Sequence, residues 1–118
     1  MDRTDLEYLL GKIGMACFVD YFHEFGNPHM SNQDVIDLLP HEYTFKSRTS
    51  RTSKARRIFR EGSERAALSI IANSDRVEPR AGQKARALLV DLNQRAVQQI
   101  VGREQRVRLS QLAWCGDA

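Results

Sequence analysis

The residues with the clearest chemical potential lie in one run, KSRTSRTSKARRIFR, which we call the basic segment (residues 46–60). It holds seven lysines and arginines and no acidic residue. Guanidinium groups bind phosphate oxygens in bidentate pairs, and hydroxyl groups add single hydrogen bonds to the same oxygens. Without acids, the run also lacks the i,i+4 ion pairs that commonly neutralise a charged helix. The basic segment therefore predicts a surface for phosphates or another anionic partner, with a merely solvated helix face as the alternative.

The apolar residues within the basic segment predict which of its sides is buried. At about 100° per residue, Ala55, Ile58 and Phe59 fall in one narrow sector. The opposite side carries arginines and hydroxyls, with Lys54 on its flank: Thr49, Ser53, Arg56, Arg57 and Arg60. The nucleic-acid-binding residues predicted from this arrangement are Lys46, Arg48, Thr49, Arg51, Ser53, Lys54, Arg56, Arg57 and Arg60.

Two aromatic residues, Tyr43 and Phe45, stand just before the basic segment. Aromatic rings beside basic side chains can stack on unpaired bases, as they do in proteins that bind single strands. The alternative is that the two rings only pin a loop to the rest of the domain. Both residues are therefore candidates for base stacking, with a structural role as the competing interpretation.

The order of elements around the basic segment matches the order of parts in a helix-turn-helix. A short helix is predicted over residues 31–39, and a connection leads from it into the basic helix. The second helix of such a pair enters the major groove. Side chains near its start would then meet base edges: Arg48, Thr49, Arg51, Thr52 and Ser53. The connection, residues 40–47, is about twice as long as the usual turn of three or four residues.

A second constellation, in the first third of the chain, raises the question of a metal site. Histidines stand near carboxylates there: Asp20, His23, Glu24, His29 and His41. Two or three such ligands could hold a divalent ion for a nuclease. The chain has no cysteine pair at zinc spacing and no H-E-x-x-H motif. We therefore predict no metal, no cofactor and no enzymatic activity, with Cys17 on an apolar stripe as a core residue.

Five helices are predicted to position these residues, at about 5–25, 31–39, 48–61, 63–73 and 80–101. Capping-box spacing of Thr4 and Glu7 opens the first helix, and Gly26-Asn27-Pro28 closes it. Gly11 and Gly14 lie inside it and are expected to mark a kink or a close helix contact. The fifth helix has the most regular stripe: Ala81, Ala85, Leu88, Leu89, Leu92, Ala96 and Ile100. Beyond Gly102 the chain becomes irregular, with strand-like alternation at residues 106–109, and Trp114 is expected to dock this tail.

Charge is distributed very unevenly along the chain. Residues 1–45 hold two basic and eight acidic side chains, so the acidic part precedes the basic segment directly. Such asymmetry points to an anionic partner, unless the acidic part folds over the basic helix. No apolar run reaches membrane-spanning length, and the acidic start is unlike an export signal. We therefore expect a cytoplasmic protein without membrane contact, with Cys17 and Cys115 as reduced thiols.

The sequence as a whole predicts an all-α protein with a single orthogonal or bundle-like domain over residues 1–118. The function it favours is nucleic-acid binding, to DNA rather than RNA, by a small regulatory protein through the basic segment. The alternative is a protein-interaction module that docks an acidic protein surface on the same helix, or a partner on the acidic part. An incompletely covered stripe on the fifth helix would also allow homo-oligomers.

Overall fold

A computed structural model describes residues 1–95, which form seven α-helices and no strand within that range. The helices are α1 (Arg3–Ile13), α2 (Met15–Asp20), α3 (Phe22–Gly26), α4 (Asn32–Leu38), α5 (Phe45–Arg60), α6 (Glu64–Ala72) and α7 (79–95, where the described residues end). The all-α class predicted from the sequence is confirmed. The number of helices in this part of the chain is larger than predicted.

The predicted helix over residues 5–25 is wrong as one element, because the chain turns twice within it. Asp2, rather than Thr4, caps α1: its side chain accepts a hydrogen bond from the Asp5 backbone N–H (2.8 Å). Gly14 has φ +90° and ends α1, in a region of backbone conformation that favours glycine. A second break, at Tyr21, separates α2 from α3. The three short helices can therefore wrap around one core instead of extending past it.

The helices on either side of the connection at residues 39–44 differ in how well their starts were predicted. Helix α4 begins where the sequence predicts, because Ser31 and Asp34 form a capping box with both reciprocal hydrogen bonds present. By contrast, α5 begins at Phe45, three residues before the predicted start at residue 48. Thr44 is its N-cap and accepts a hydrogen bond from the Ser47 backbone N–H (3.1 Å). The basic residues therefore lie deeper inside the helix than expected.

The central element is α5, which contacts α1, α3, α4 and α6. Ala55 and Ile58 are fully buried and Phe59 is half-buried, which confirms the predicted apolar stripe. The Phe59 ring meets those of Phe18 and Phe22, with centroids 5.9 and 5.0 Å apart. Phe18 and Phe22 are therefore core residues that pack against α5.

The helices that follow α5 agree with the sequence prediction as far as residue 95. Helix α6 matches the predicted 63–73 to within one residue at each end. On α7, Ala81, Ala85 and Leu88 are buried, and Leu89 and Leu92 pack at the edge of the core. The predicted continuation of this helix to residue 101, the strand-like residues 106–109, Trp114 and Cys115 lie outside the described residues. Within residues 1–95 the helices are too short or too polar to cross a bilayer.

Candidate nucleic-acid interface

Three arginines of α5 are directed at the backbone of other elements. Arg48 Nη1 donates to the Ile36 carbonyl in the last turn of α4 (3.1 Å). Arg51 Nη1 donates to the carbonyl of Ile13, the last residue of α1. Arg56 Nη2 donates to the Met30 carbonyl between α3 and α4 (2.7 Å). Carbonyls at helix C-termini lack partners within their helix and carry partial negative charge, so guanidinium groups satisfy and neutralise them. We call Arg48, Arg51 and Arg56 the inner arginines.

The side chains of the inner arginines do not lie where the sequence analysis placed them. Arg56 was expected on the fully open side of the helix, and Arg48 and Arg51 at the start of a base-reading surface. All three are half-buried and bound to backbone carbonyls. The physical reason is the length of the arginine side chain, which follows apolar surface and places its charged end far from its own Cβ. A helical wheel fixes only the direction of Cβ.

Arg51 is the most extensively bound of the inner arginines. Besides the Ile13 carbonyl, it donates through Nε to Ser47 Oγ (3.0 Å). Its guanidinium carbon lies 4.0 Å from the centre of the Tyr43 ring, within range of a cation–π contact. A Cβ at Gly14 would come within 3.0 Å of Arg51 Nη1, so glycine leaves room for the guanidinium. The Tyr43 ring is thus engaged inside the domain, as the structural alternative for this residue expected.

Next to Arg51 lies Cys17, a buried member of the core. Burial raises the pKa of the Cys17 thiol, and the positive charge of Arg51 offsets only part of that rise. A thiol is a nucleophile and metal ligand in its deprotonated form. The surroundings of Cys17 therefore favour the neutral core residue that the sequence predicted.

The outer side of α5 carries a different set of charges, which we call the basic face. Lys46, Arg57 and Arg60 are exposed and Lys54 is half-exposed, while Thr49 and Ser53 are the exposed hydroxyl residues between them. The Thr49 hydroxyl donates to the Phe45 carbonyl (2.8 Å), and Lys54 Nζ donates to Ser50 Oγ (2.6 Å). Among the ion pairs found in residues 1–95, none involves a residue of the basic segment.

Phe45 begins α5 beside the basic face and is 57% exposed. The Arg48 guanidinium carbon lies 5.9 Å from its ring centre. Of the two candidate stacking residues, Phe45 is therefore the one whose ring is open to solvent. The sequence did not distinguish it from Tyr43, because both rings precede the same run of charges.

Carboxylates of the acidic part do not neutralise the basic segment in the part of the chain that the structure describes. Asp20 instead binds α7, accepting bidentate hydrogen bonds from Arg80 (3.0 and 3.2 Å) and one from Lys84 (3.3 Å). The hydrogen bond from Arg80, with help from Lys84, lowers the pKa of the Asp20 carboxyl despite its partial burial. Asp20, the first of the candidate metal ligands, is therefore committed to a structural ion pair.

A cleft that the sequence did not predict opens at the C-terminal end of α5. It has a volume of about 470 Å³ and lies where the α3–α4 connection meets α5. A Cβ at Gly26 would come within 2.6 Å of the Phe59 ring, so this glycine permits the close approach that shapes the cleft. Ser53 and Arg60 belong both to the cleft wall and to the basic face. The cleft and the basic face are therefore continuous.

Comparisons of this chain with protein-family models, with curated proteins and with solved structures each find no match. The chemistry of α5 therefore has to carry the functional interpretation. Within residues 1–95, no group of three histidine, cysteine or acidic side chains is placed to hold a metal ion. The feature that remains is a cationic helix face beside an exposed aromatic ring and a partly polar cleft.

Proposed function

We propose that this protein binds nucleic acid, DNA rather than RNA, through the basic face of α5, as a small non-enzymatic regulatory protein. The observation that carries the proposal is the exposed position of Lys46, Arg57 and Arg60, with Lys54 beside them and no carboxylate partner within residues 1–95. Cations that the domain leaves unpaired are available to phosphates, and the release of counterions from DNA makes such contacts favourable.

The shape of the element supports a DNA duplex as the partner. The basic face covers α5 from Lys46 to Arg60, a length of about 21 Å at a rise of 1.5 Å per residue. The major groove of B-DNA admits an α-helix, whereas the corresponding groove of A-form RNA is deep and narrow. The opposite side of α5 is packed against four other helices, so the domain can hold this helix rigidly against a groove.

A helix-turn-helix arrangement of α4 and α5 is part of the proposal. The connection of six residues, 39–44, is shorter than the sequence predicted but still longer than the usual three or four. In this arrangement the start of α5 would face base edges. Because Arg48 and Arg51 are turned inward, the reading residues become Phe45, Lys46 and Thr49. Lysine contacts guanine, and an apolar ring contacts the thymine methyl group.

The decisive experiment compares two triple variants that remove equal charge. One replaces Lys46, Arg57 and Arg60 by glutamine. The control replaces Lys12, Arg65 and Arg76, which are exposed residues outside α5. Affinity for a blunt DNA duplex is measured by fluorescence anisotropy over a salt series. The slope of log K against log[salt] should fall by about 2.7 in the first variant, since each lost phosphate contact returns about 0.9 counterion.

Two results would overturn the proposal. Equal weakening by both triple variants would mean that net charge, and not the basic face, attracts the DNA. Failure of the wild-type protein to bind duplex at about 50 mM salt, where screening is weak, would exclude nucleic-acid binding by this face. The basic face would then be assigned to the alternative partner, an acidic protein surface.

A further inference from the structure

We infer that the cleft beside α5 binds one nucleotide unit, with its base in the apolar part and its phosphate at Arg60. The inference deepens the proposed function, since it adds a pocket for a single nucleotide to a face for a phosphate backbone. The same chemistry has two sources: a free mononucleotide, or an unpaired nucleotide of a strand whose remaining phosphates lie on the basic face.

The walls of the cleft combine the two kinds of group that a nucleotide requires. Phe59 and Pro28 supply accessible apolar surface, and Asn32, Ser53 and Arg60 supply hydrogen-bonding groups. Small-molecule pockets typically have volumes of roughly 300–1,000 Å³. The cleft, at about 470 Å³, falls within that range. Unpaired bases are commonly recognised by such a combination of apolar or aromatic surface and edge hydrogen bonds.

Arg56, another residue of the cleft wall, adds a second guanidinium group to that of Arg60. It is half-buried, and its Nη2 atom donates to the Met30 carbonyl (2.7 Å). Two positive charges in the wall of one cleft favour an anionic ligand there.

Arg60 explains why the ligand should carry a phosphate. It is exposed and lies at the junction of the cleft and the basic face. A guanidinium group binds a phosphate bidentately, with charge assistance on both partners. A base held in the cleft would therefore place its own phosphate at the end of the basic face, in line with the phosphates that Arg57 and Lys54 would contact.

The test uses two filling variants and two kinds of probe. Asn32→Trp puts a large ring at the cleft wall without a change of charge, and Gln33→Trp is the matched control on the exposed surface of the same helix. Binding of dAMP and of deoxyadenosine is measured by calorimetry. Binding of a blunt duplex, and of the same duplex with a three-nucleotide overhang, is measured by anisotropy. Circular dichroism and thermal melting confirm that both variants are folded.

The wild-type protein should bind dAMP at least about tenfold more tightly than deoxyadenosine, because the phosphate adds a charge-assisted pair. Asn32→Trp should abolish dAMP binding, or the preference for the overhang duplex, while Gln33→Trp should leave both as in the wild type. A second variant, Arg60→Gln, should remove the discrimination between dAMP and deoxyadenosine, and the exposed Arg65→Gln serves as its control.

The two sources of the nucleotide give different results. Binding of dAMP without a preference for the overhang duplex assigns the cleft to a free mononucleotide. A preference for the overhang duplex without binding of dAMP assigns the cleft to a nucleotide of a strand. If neither dAMP nor the overhang is favoured while the blunt duplex still binds, the inference is wrong and the proposed function stands. If dAMP binds and no duplex does, the proposed function fails and the cleft remains a nucleotide site.

Discussion

The inner arginines and the basic face lie on the same helix and both consist largely of positively charged side chains. The inner arginines bind backbone carbonyls, whereas the basic face is open to solvent. Arg51 binds the carbonyl at the end of α1 and Arg56 binds the Met30 carbonyl between α3 and α4. Arg57 and Arg60 instead face solvent without a carboxylate partner in residues 1–95. Of seven positive charges in the basic segment, three hold the fold together. A count of charges in a sequence therefore overstates the charge available to a ligand.

The chemistry of arginine explains why the same residue type serves both purposes. Its guanidinium group has five N–H donors and is more weakly hydrated than an ammonium group, so half-burial costs less than it would for lysine. Two of the three carbonyls that the inner arginines bind belong to the last turn of a helix. The same device recurs outside α5, where Arg86 Nη2 on α7 donates to the carbonyl of Ala72, the last residue of α6 (3.0 Å).

The largest expected difference between the two groups is in stability. Arg51→Ala should lower the free energy of unfolding by about 2–4 kcal/mol, since it removes a charged hydrogen bond to the carbonyl of the buried Ile13 and the packing of a long side chain. Arg57→Ala, its exposed control, should stay within about 0.5 kcal/mol of the wild type. Urea denaturation measures both. Similar losses of stability from the two variants would mean that the inner arginines and the basic face do not differ in their contribution to the fold.

The dependence of stability on pH sharpens the comparison, because a carbonyl does not titrate and a carboxylate does. The lowered pKa of Asp20 in the folded protein means that its contribution is present above about pH 4, the ordinary value for aspartate, and is lost as pH falls through the lowered value. The loss should be below about 1 kcal/mol, since both partners are partly exposed. Asp20→Asn should remove this acid-sensitive part in denaturation experiments between pH 7 and 2.

The penalty of Arg51→Ala provides the contrast in the same experiments. It should be the same at pH 7 and at pH 3, because neither the guanidinium nor the Ile13 carbonyl changes its charge in that range. An acid-dependent penalty would show that Arg51 has a carboxylate partner in solution, and would return the inner arginines to the group of ordinary ion pairs.

The smallest effect is expected at Thr52, the one buried polar side chain on the inner side of α5 that binds nothing. It is fully buried, and its hydroxyl has no hydrogen-bond partner within residues 1–95. Thr52→Val should be neutral or should stabilise the protein by up to about 1 kcal/mol, because it removes an unsatisfied polar atom at similar shape. A loss above about 1 kcal/mol, measured by thermal melting, would mean that the hydroxyl has a partner.

The sequence allowed good predictions where one local signal dominates. The capping box of Ser31 and Asp34 fixes the start of α4, and the spacing of Ala55 and Ile58 fixes the buried side of α5. A kink or a close helix contact was expected at Gly11 and Gly14, and the structure has a full break at Gly14. The break at Tyr21 was not predicted, because the apolar spacing continues through it and periodicity cannot register a change of direction. The start of α5 was misplaced because Thr44, Ser47 and Ser50 are all suitable caps.

The candidate site was less predictable than the fold, for two physical reasons. The wheel describes Cβ directions, so it could not tell that Arg56 reaches inward while Arg60 does not. The cleft depends on residues far apart in sequence, such as Phe25 and Arg60, and on a glycine contact between Gly26 and Phe59. Neither feature leaves a local pattern. The exposed lysine and arginines of the basic face are among the candidates that the sequence named, and their binding role remains a prediction.

The carbonyl contacts of the inner arginines also have a consequence for how the chain folds during its synthesis on the ribosome. The three contacts join residues 12, 26 and 38 positions apart, and in each the arginine comes later in the chain. Helices α1 to α4 therefore emerge from the exit tunnel with carbonyls at Ile13, Met30 and Ile36 still bound to water. Their partners arrive only when the basic segment has been translated. Until then the apolar sides of these helices also lack α5, so the core cannot begin to form before the basic segment is translated, and it is completed only by α6 and α7.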